Sequence, residues 1–275
     1  MFIDIHTHLD QYGNDEHGQP EQPGIIQRGL EAGVGAIIAA GVTLESTAEC
    51  IRLARENERV FAGAGCHPQD LDGELDQQAL DRLYEMAGDE NVIVMSEIGL
   101  DHQPQSPDHD LQERAFRAQI EIARDRRLPV VFHNRDATEP VLRVLREEDA
   151  RTVGGAAHYF QGDLSYAHAL MDMGMFISLA KPLLRLPELQ QTACQLPLSS
   201  IVLETDCYPQ PFKKKREKWT EPRDIPLVAA KLAELHGVST EEVMEATTAN
   251  VLRMLGGKCG GVRRLVGTDR RSING

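Results

Sequence analysis

Short apolar runs rich in β-branched residues recur along the chain, at 2–6, 35–40, 60–65, 92–97, 129–133, 156–158, 175–179 and 200–204. Longer stretches between them carry apolar residues at helical spacing, most clearly 111–126, 139–147 and 224–236. Several runs are continuously apolar rather than alternating, the pattern of strands buried on both faces of a parallel sheet. Eight strands alternating with helices predict an α/β fold, a single (β/α)8 TIM barrel, in preference to an open doubly wound sheet. Near the end, Ser239 and Glu242 stand at capping-box spacing and predict a helix running to about Leu255. Gly256, Gly257, Gly260 and Gly261 then stop it. The expected organisation is one barrel domain over 1–255 and a Gly/Arg-rich tail over 256–275, mobile or accessory.

Composition narrows the class. The 275 residues include 43 acidic and 29 basic side chains, a formal net charge of −14, and 41% are hydrophobic. That apolar content excludes global disorder, and the charge excludes a basic coat that would hold nucleic acid or an anionic membrane by itself. The first residues show neither a positive nor an apolar leader region, and the longest apolar run, 34–42, is too short to span a bilayer. Five scattered cysteines without a C-x-x-C pair fit free thiols. The expectation is a soluble cytoplasmic protein without a membrane partner. Neither glycine-rich phosphate-binding motif is present, so no nucleotide cofactor is expected. Oligomeric state is left open.

The chemistry collects at strand ends. In Asp4-Ile5-His6-Thr7-His8, the two-residue period of a strand points His6 and His8 to one side. Glu97 ends the fourth run, His133 the fifth and His158 the sixth, while Asp206 follows the eighth. A barrel strand's C-terminal end is where an inward side chain reaches the open mouth. Four imidazoles and two carboxylates suffice for two divalent ions if one carboxylate bridges them. Neutral imidazole suits zinc, iron, nickel or manganese better than magnesium, which prefers oxygen. Any one of these histidines alone is more readily a core or surface residue; the set together points to metal. His67, after the third run, falls outside the six and is read as binding the scissile group or assisting proton transfer. Asp4, Asp101 and Glu204 are read as groups that orient the ligands or sit in the core.

The motifs Phe2-Ile3-Asp4-Ile5-His6-Thr7-His8-Leu9, Gly65-Cys66-His67-Pro68, Ser96-Glu97-Ile98-Gly99-Leu100-Asp101, Phe132-His133-Asn134-Arg135-Asp136-Ala137 and Leu203-Glu204-Thr205-Asp206 resemble those of the TatD-like metal-dependent hydrolases, in the amidohydrolase-type barrel superfamily. The resemblance runs from Phe2 to about Leu255. It implies that His6, His8 and Asp206 hold one metal, that His133 and His158 hold the second, and that Glu97 bridges. It also implies hydrolysis, with DNase activity of the 3′→5′ exonuclease kind in several members. The family's usual His-Cys-Phe-Ser-Gly reads His158-Tyr159-Phe160-Gln161-Gly162 here, and the loop after Asp206 turns basic, so substrate choice is where this chain departs.

That loop, Lys213-Lys214-Lys215-Arg216-Glu217-Lys218, is flanked by Phe212 and Trp219. Lysines beside aromatics can hold phosphates and stack bases. Most charge runs are solvated loops, but the position beyond Asp206 makes Lys213, Lys214, Lys215 and Trp219 candidate substrate contacts, with Arg135 beside His133. The expected reaction is hydrolysis of a DNA phosphodiester by a metal-activated water, with Asp206 accepting its proton and Glu97 and His67 completing the catalytic set. The alternative is a metal-dependent deacylase or amidohydrolase acting on an ester or amide such as an aminoacyl-tRNA. A noncatalytic metal-binding or nucleic-acid-interaction protein that retains the barrel is a further rival, disfavoured because no ligand position is missing.

Overall fold

The computed structural model describes residues 1–14, 17–213 and 215–268. Eight strands, β1 (Phe2–Thr7), β2 (Val34–Ala40), β3 (Val60–Ala64), β4 (Val92–Asp101), β5 (Val130–Arg135), β6 (Gly155–Ala157), β7 (Met175–Leu179) and β8 (Ile201–Leu203), form one sheet in sequence order. Every neighbouring pair is parallel. The sheet curls until its edges meet, with a Thr7–Cys207 bridge joining β1 to the chain just past β8. This is the (β/α)8 barrel the periodicity predicts.

Connecting helices cover the outside: α1 (Gln22–Glu31), α2 (Leu44–Glu56), α3 (Gln77–Met86), α4 (His109–Arg126), α5 (Thr138–Glu147), α6 (Leu164–Asp172), α7 (Pro187–Ala193) and α8 (Ile225–His236). Their starts are chemically marked. Thr43, Asp76, Asp108 and Asp163 each accept a backbone N–H of the first turn, satisfying donors that a helix end leaves free. α9 (Thr240–Leu255) begins at the complete Ser239/Glu242 capping box. Its Val251, Met254 and Leu255 pack with Ile3, Ile38, Val94, Val131 and Val202 of the strands.

Two boundaries differ from the sequence reading by more than two residues. β4 does not stop at Glu97 but continues through Asp101, because Ile98 and Leu100 are as buried as the residues before them and pair onward with β5. The glycine cluster after Leu255 does not end regular structure either. A further helix, α10 (Gly260–Thr268), follows, and its Val262 is fully buried in the same cluster as Ile3 and Ile38. The rest of the tail, 269–275, lies outside the described residues.

Candidate metal centre

Strand register brings distant residues onto one carboxylate. Glu97, mid-way along β4 and almost wholly buried, has five imidazoles around it. His6 Nε2 lies 3.2 Å and His8 Nε2 3.5 Å from Oε2; His133 Nδ1 lies 3.0 Å, His67 Nε2 3.4 Å and His158 Nε2 3.4 Å from Oε1. His6 and His8 thus reach the same oxygen, as period-two geometry requires. Asp206 closes the other side, its Oδ1 3.2 Å from His8 Nε2. The backbone at Asp206 is left-handed, φ 51°, which turns its carboxylate back over the mouth.

Gly99 explains how β4 and β5 come close enough for this. Its φ is +142°, and a β-carbon there would meet His133 O at 2.1 Å. Only glycine permits that approach two residues from Glu97.

Four of the five imidazoles face an outer partner on the side away from Glu97. His133 Nε2 faces Asp101 Oδ2 at 2.9 Å and His158 Nδ1 faces Glu204 Oε1 at 2.9 Å. Glu204 is itself fixed by Ser178 Oγ–H at 2.5 Å and Tyr159 N–H at 2.6 Å. Ser96 Oγ lies 3.3 Å from His6 Nδ1. Gln69 N–H donates to His67 Nδ1 at 3.2 Å, and Asp70 lies 3.4 Å from the same nitrogen. Such outer partners fix ring orientation in metal sites. His67, which the sequence left outside the ligand count, stands at the same distance from Glu97 as His158. Its placement depends on the Pro68–Asp70 turn, which no spacing rule reveals.

The protein's own groups compensate one another's charge: against the opposing effect of burial, Glu97 and Asp70 raise His67 to about 9, and Glu204 and Glu97 raise His158 to about 10. Burial would push Glu97 up, but the charges of His67 and His158, with the His133 hydrogen bond, outweigh it and hold the carboxylate well below the usual range. Burial likewise opposes ionisation of Asp206, yet His8 and His158 keep it below its ordinary value. For His6, burial and the neighbouring His158 prevail, so protonation is disfavoured. Three groups place one donor atom each within 4.8 Å of one another: His6–His8–Glu97, His6–His158–Asp206 and His67–Glu97–His133. His8 Nδ1 is buried without a hydrogen-bond partner, and the neighbouring Asp10 Oδ1 is too. Converging buried imidazoles and ionised carboxylates fit divalent cations and suit no apolar ligand.

Above this floor lies a cavity of about 680 Å³. Its walls include Arg135, Asn134, Tyr159, Phe160, Tyr166, Lys181 and Tyr208. Arg135 enters as expected, with Nη1 3.5 Å from Asp101. Lys213, Lys215 and Trp219 are not among the lining residues, and Lys214 lies outside the described residues. The described residues of the basic loop engage other groups of the protein. Arg216 binds Glu21 and, at 2.7 Å, Glu221, while its guanidinium packs 4.4 Å from the Trp219 ring centroid. Lys213 Nζ donates to Gln210 Oε1 at 2.6 Å, and Lys215 Nζ stands 3.9 Å from Glu217. Tyr159 belongs to the segment 158–162 whose departure from the family pattern marks substrate choice, and Tyr208 follows Asp206 by two residues; Tyr166, on α6, carries no such mark in the sequence.

A (β/α)8 barrel with imidazoles and carboxylates converging at the C-terminal ends of its strands defines a metal-dependent hydrolase. The sequence matches the family described as TatD related DNase over residues 3–256. It is 31% identical to the metal-dependent hydrolase YabD of Bacillus subtilis, over 92% of this chain and 98% of that protein. It is 28% identical to the 3′-5′ ssDNA/RNA exonuclease TatD of Klebsiella pneumoniae, over 86% and 93%. The crystal structure of YjjV, a TatD homologue from Escherichia coli, superposes with a TM-score of 0.81 at 28% identity, covering 92% of this chain and 97% of that one. The chain belongs to the TatD family.

Proposed function

We propose that this protein is a divalent-metal deoxyribonuclease that removes nucleotides from a DNA 3′ end. The observation that carries the reading is the Glu97 carboxylate within 3.5 Å of five imidazoles on the floor of an open polar cavity. Kinship to a relative named a 3′-5′ ssDNA/RNA exonuclease supports the choice of substrate.

His6, His8 and Asp206 would hold one ion, His133 and His158 the second, with Glu97 shared. The nitrogen-rich set favours zinc or manganese over magnesium. When bound, the ions supply positive charge against that building on the phosphoryl oxygens and make a water acidic enough to attack. Asp206, kept ionised and at the cavity edge, accepts the proton of the attacking water, and returns it to the 3′ oxygen of the shortened strand as the bond between that oxygen and phosphorus breaks. His67 has Nδ1 engaged by the Gln69 amide, so Nε2 carries a proton and donates to a nonbridging phosphoryl oxygen. Arg135 pairs with the adjacent backbone phosphate. Tyr159 and Tyr208 offer ring faces to the terminal bases.

The test compares single-stranded DNA, duplex DNA, single-stranded RNA, aminoacyl-tRNA and simple esters as substrates of metal-loaded protein, with Glu97→Ala as control. Stepwise shortening of DNA from its 3′ end, absent in Glu97→Ala, is the expected result. Turnover of esters alone would replace this reading with a deacylase.

A further inference from the structure

No ladder pairs β1 with β8; the seam closes through individual bonds. His8 N–H donates to Cys207 O at 2.8 Å and Asp206 N–H donates to His6 O at 3.0 Å. Beneath them one carboxylate lies across the seam. Asp4 is fully buried on β1. Its Oδ2 accepts Thr205 Oγ1–H at 2.5 Å, and its Oδ1 accepts Thr205 N–H at 3.0 Å and the His6 amide at 3.4 Å. Both oxygens therefore engage residue 205, immediately before the left-handed turn at Asp206. Positive φ is uncommon for a residue with a β-carbon, though aspartate adopts it more readily than most, so the contacts that flank the turn decide where its side chain goes. Asp4 touches neither Asp206 nor the cavity, yet it grips the peptide from which Asp206 departs and the amide of His6 as well.

We propose that Asp4 is the positioning residue for Asp206, setting the separation between the β1 and β8 ligands of one ion. Its bidentate hold on Thr205 fixes the turn that returns the Asp206 carboxylate to 3.2 Å from His8. Loss of the Thr205 hydroxyl frees one of Asp4's oxygens and lets the turn relax toward ordinary extended backbone, carrying Asp206 away. The inference rests on Asp206 being a ligand, as proposed above.

The experiment titrates metal-stripped full-length protein with manganese or zinc against a chromophoric chelator, and records the thermal midpoint of the metal-free form in parallel. Thr205→Val is expected to weaken one of two ion sites by about 10–100-fold, the range seen when an outer partner of a metal ligand is removed. The other site keeps its affinity. Thr205→Ser, which retains the hydroxyl, restores the affinity, and Asp4→Asn, if it folds, falls between. A seam that only holds the barrel together would lower the thermal midpoint and leave both affinities unchanged, and that result overturns the proposal. Asp206→Asn separates the two claims. If it loses a site that Thr205→Val keeps, the positioning role alone fails. If it keeps both, the ligand assignment fails and the positioning role falls with it.

Discussion

At the scale of single residues, Glu97 is the point on which everything converges. Replacing it with Gln keeps the shape but removes the charge that five imidazoles face. Turnover should fall by at least about a thousandfold, as expected when the electrostatic centre of a site is removed. A steady-state assay on single-stranded DNA checks this, and retention of even a tenth of the wild-type rate would contradict it. Arg135→Ala should chiefly raise KM, because its guanidinium lines the cavity without touching Glu97. The convergent set was legible because metal-capable residues at strand ends obey a simple rule: period two along a strand, and C-terminal ends at the mouth. His67 was only half legible. The sequence puts it near the mouth, but its approach to Glu97 depends on a turn whose packing no local pattern encodes.

At the scale of elements, two features carry the geometry. The contact of β4 with β5 depends on Gly99, and Gly99→Ala would drive a methyl into His133 O. The strands must then part, and the expected outcome is loss of metal binding together with a lowered thermal midpoint, read by metal titration and calorimetry. The second is the loop between β8 and α8. Glu221 is fully buried and receives Arg28 at 2.7 Å, Arg216 at 2.7 Å and Arg223 at 3.2 Å. Burial alone would raise its pKa, but the hydrogen bonds from Arg28 and Arg216 prevail and hold it below the ordinary value. A depressed folded-state pKa stabilises above the unfolded value, about 4.3, and that stability is lost as pH falls through the folded one. Glu221→Gln should cost about 2–3 kcal/mol at pH 7, less than a fully buried pair because the arginines are partly solvated. The difference from wild type should shrink as pH is lowered from 5 toward 3, as urea unfolding at each pH would record. This network also explains why Arg216 is not among the residues that line the cavity. A run of lysines and arginine reads as free charge, while the acids that engage Arg216, Glu21 and Glu221, lie on another element or beyond the run. Lys213→Ala with Lys215→Ala should therefore leave kcat unchanged and alter KM by no more than about threefold, an effect that salt removes.

At the scale of the whole molecule, eight short apolar runs were enough to read the barrel because both faces of each strand are buried. Where tertiary pairing prolongs an element, as at Ile98–Asp101, or begins a new one after a glycine cluster, as at Gly260–Thr268, local composition gives no sign. No helix among the described residues is long and apolar enough to cross a membrane. The net charge of −14 is compatible with a polyanion substrate once the local field is set by bound cations rather than by the surface average. A metal site that ties β1, β4, β5, β6 and the β8 turn together should also stabilise the barrel. Chelation is expected to lower the thermal midpoint by several degrees, because ions that bind only the folded chain shift unfolding by mass action. The most direct test of the centre is calorimetric titration of manganese or zinc into metal-stripped wild-type and Glu97→Gln proteins. Two ions per wild-type chain, with both sites weakened together in Glu97→Gln, is the expected result. Two ions bound with unchanged affinity in Glu97→Gln, or none in the wild type, would contradict a centre built on that shared carboxylate.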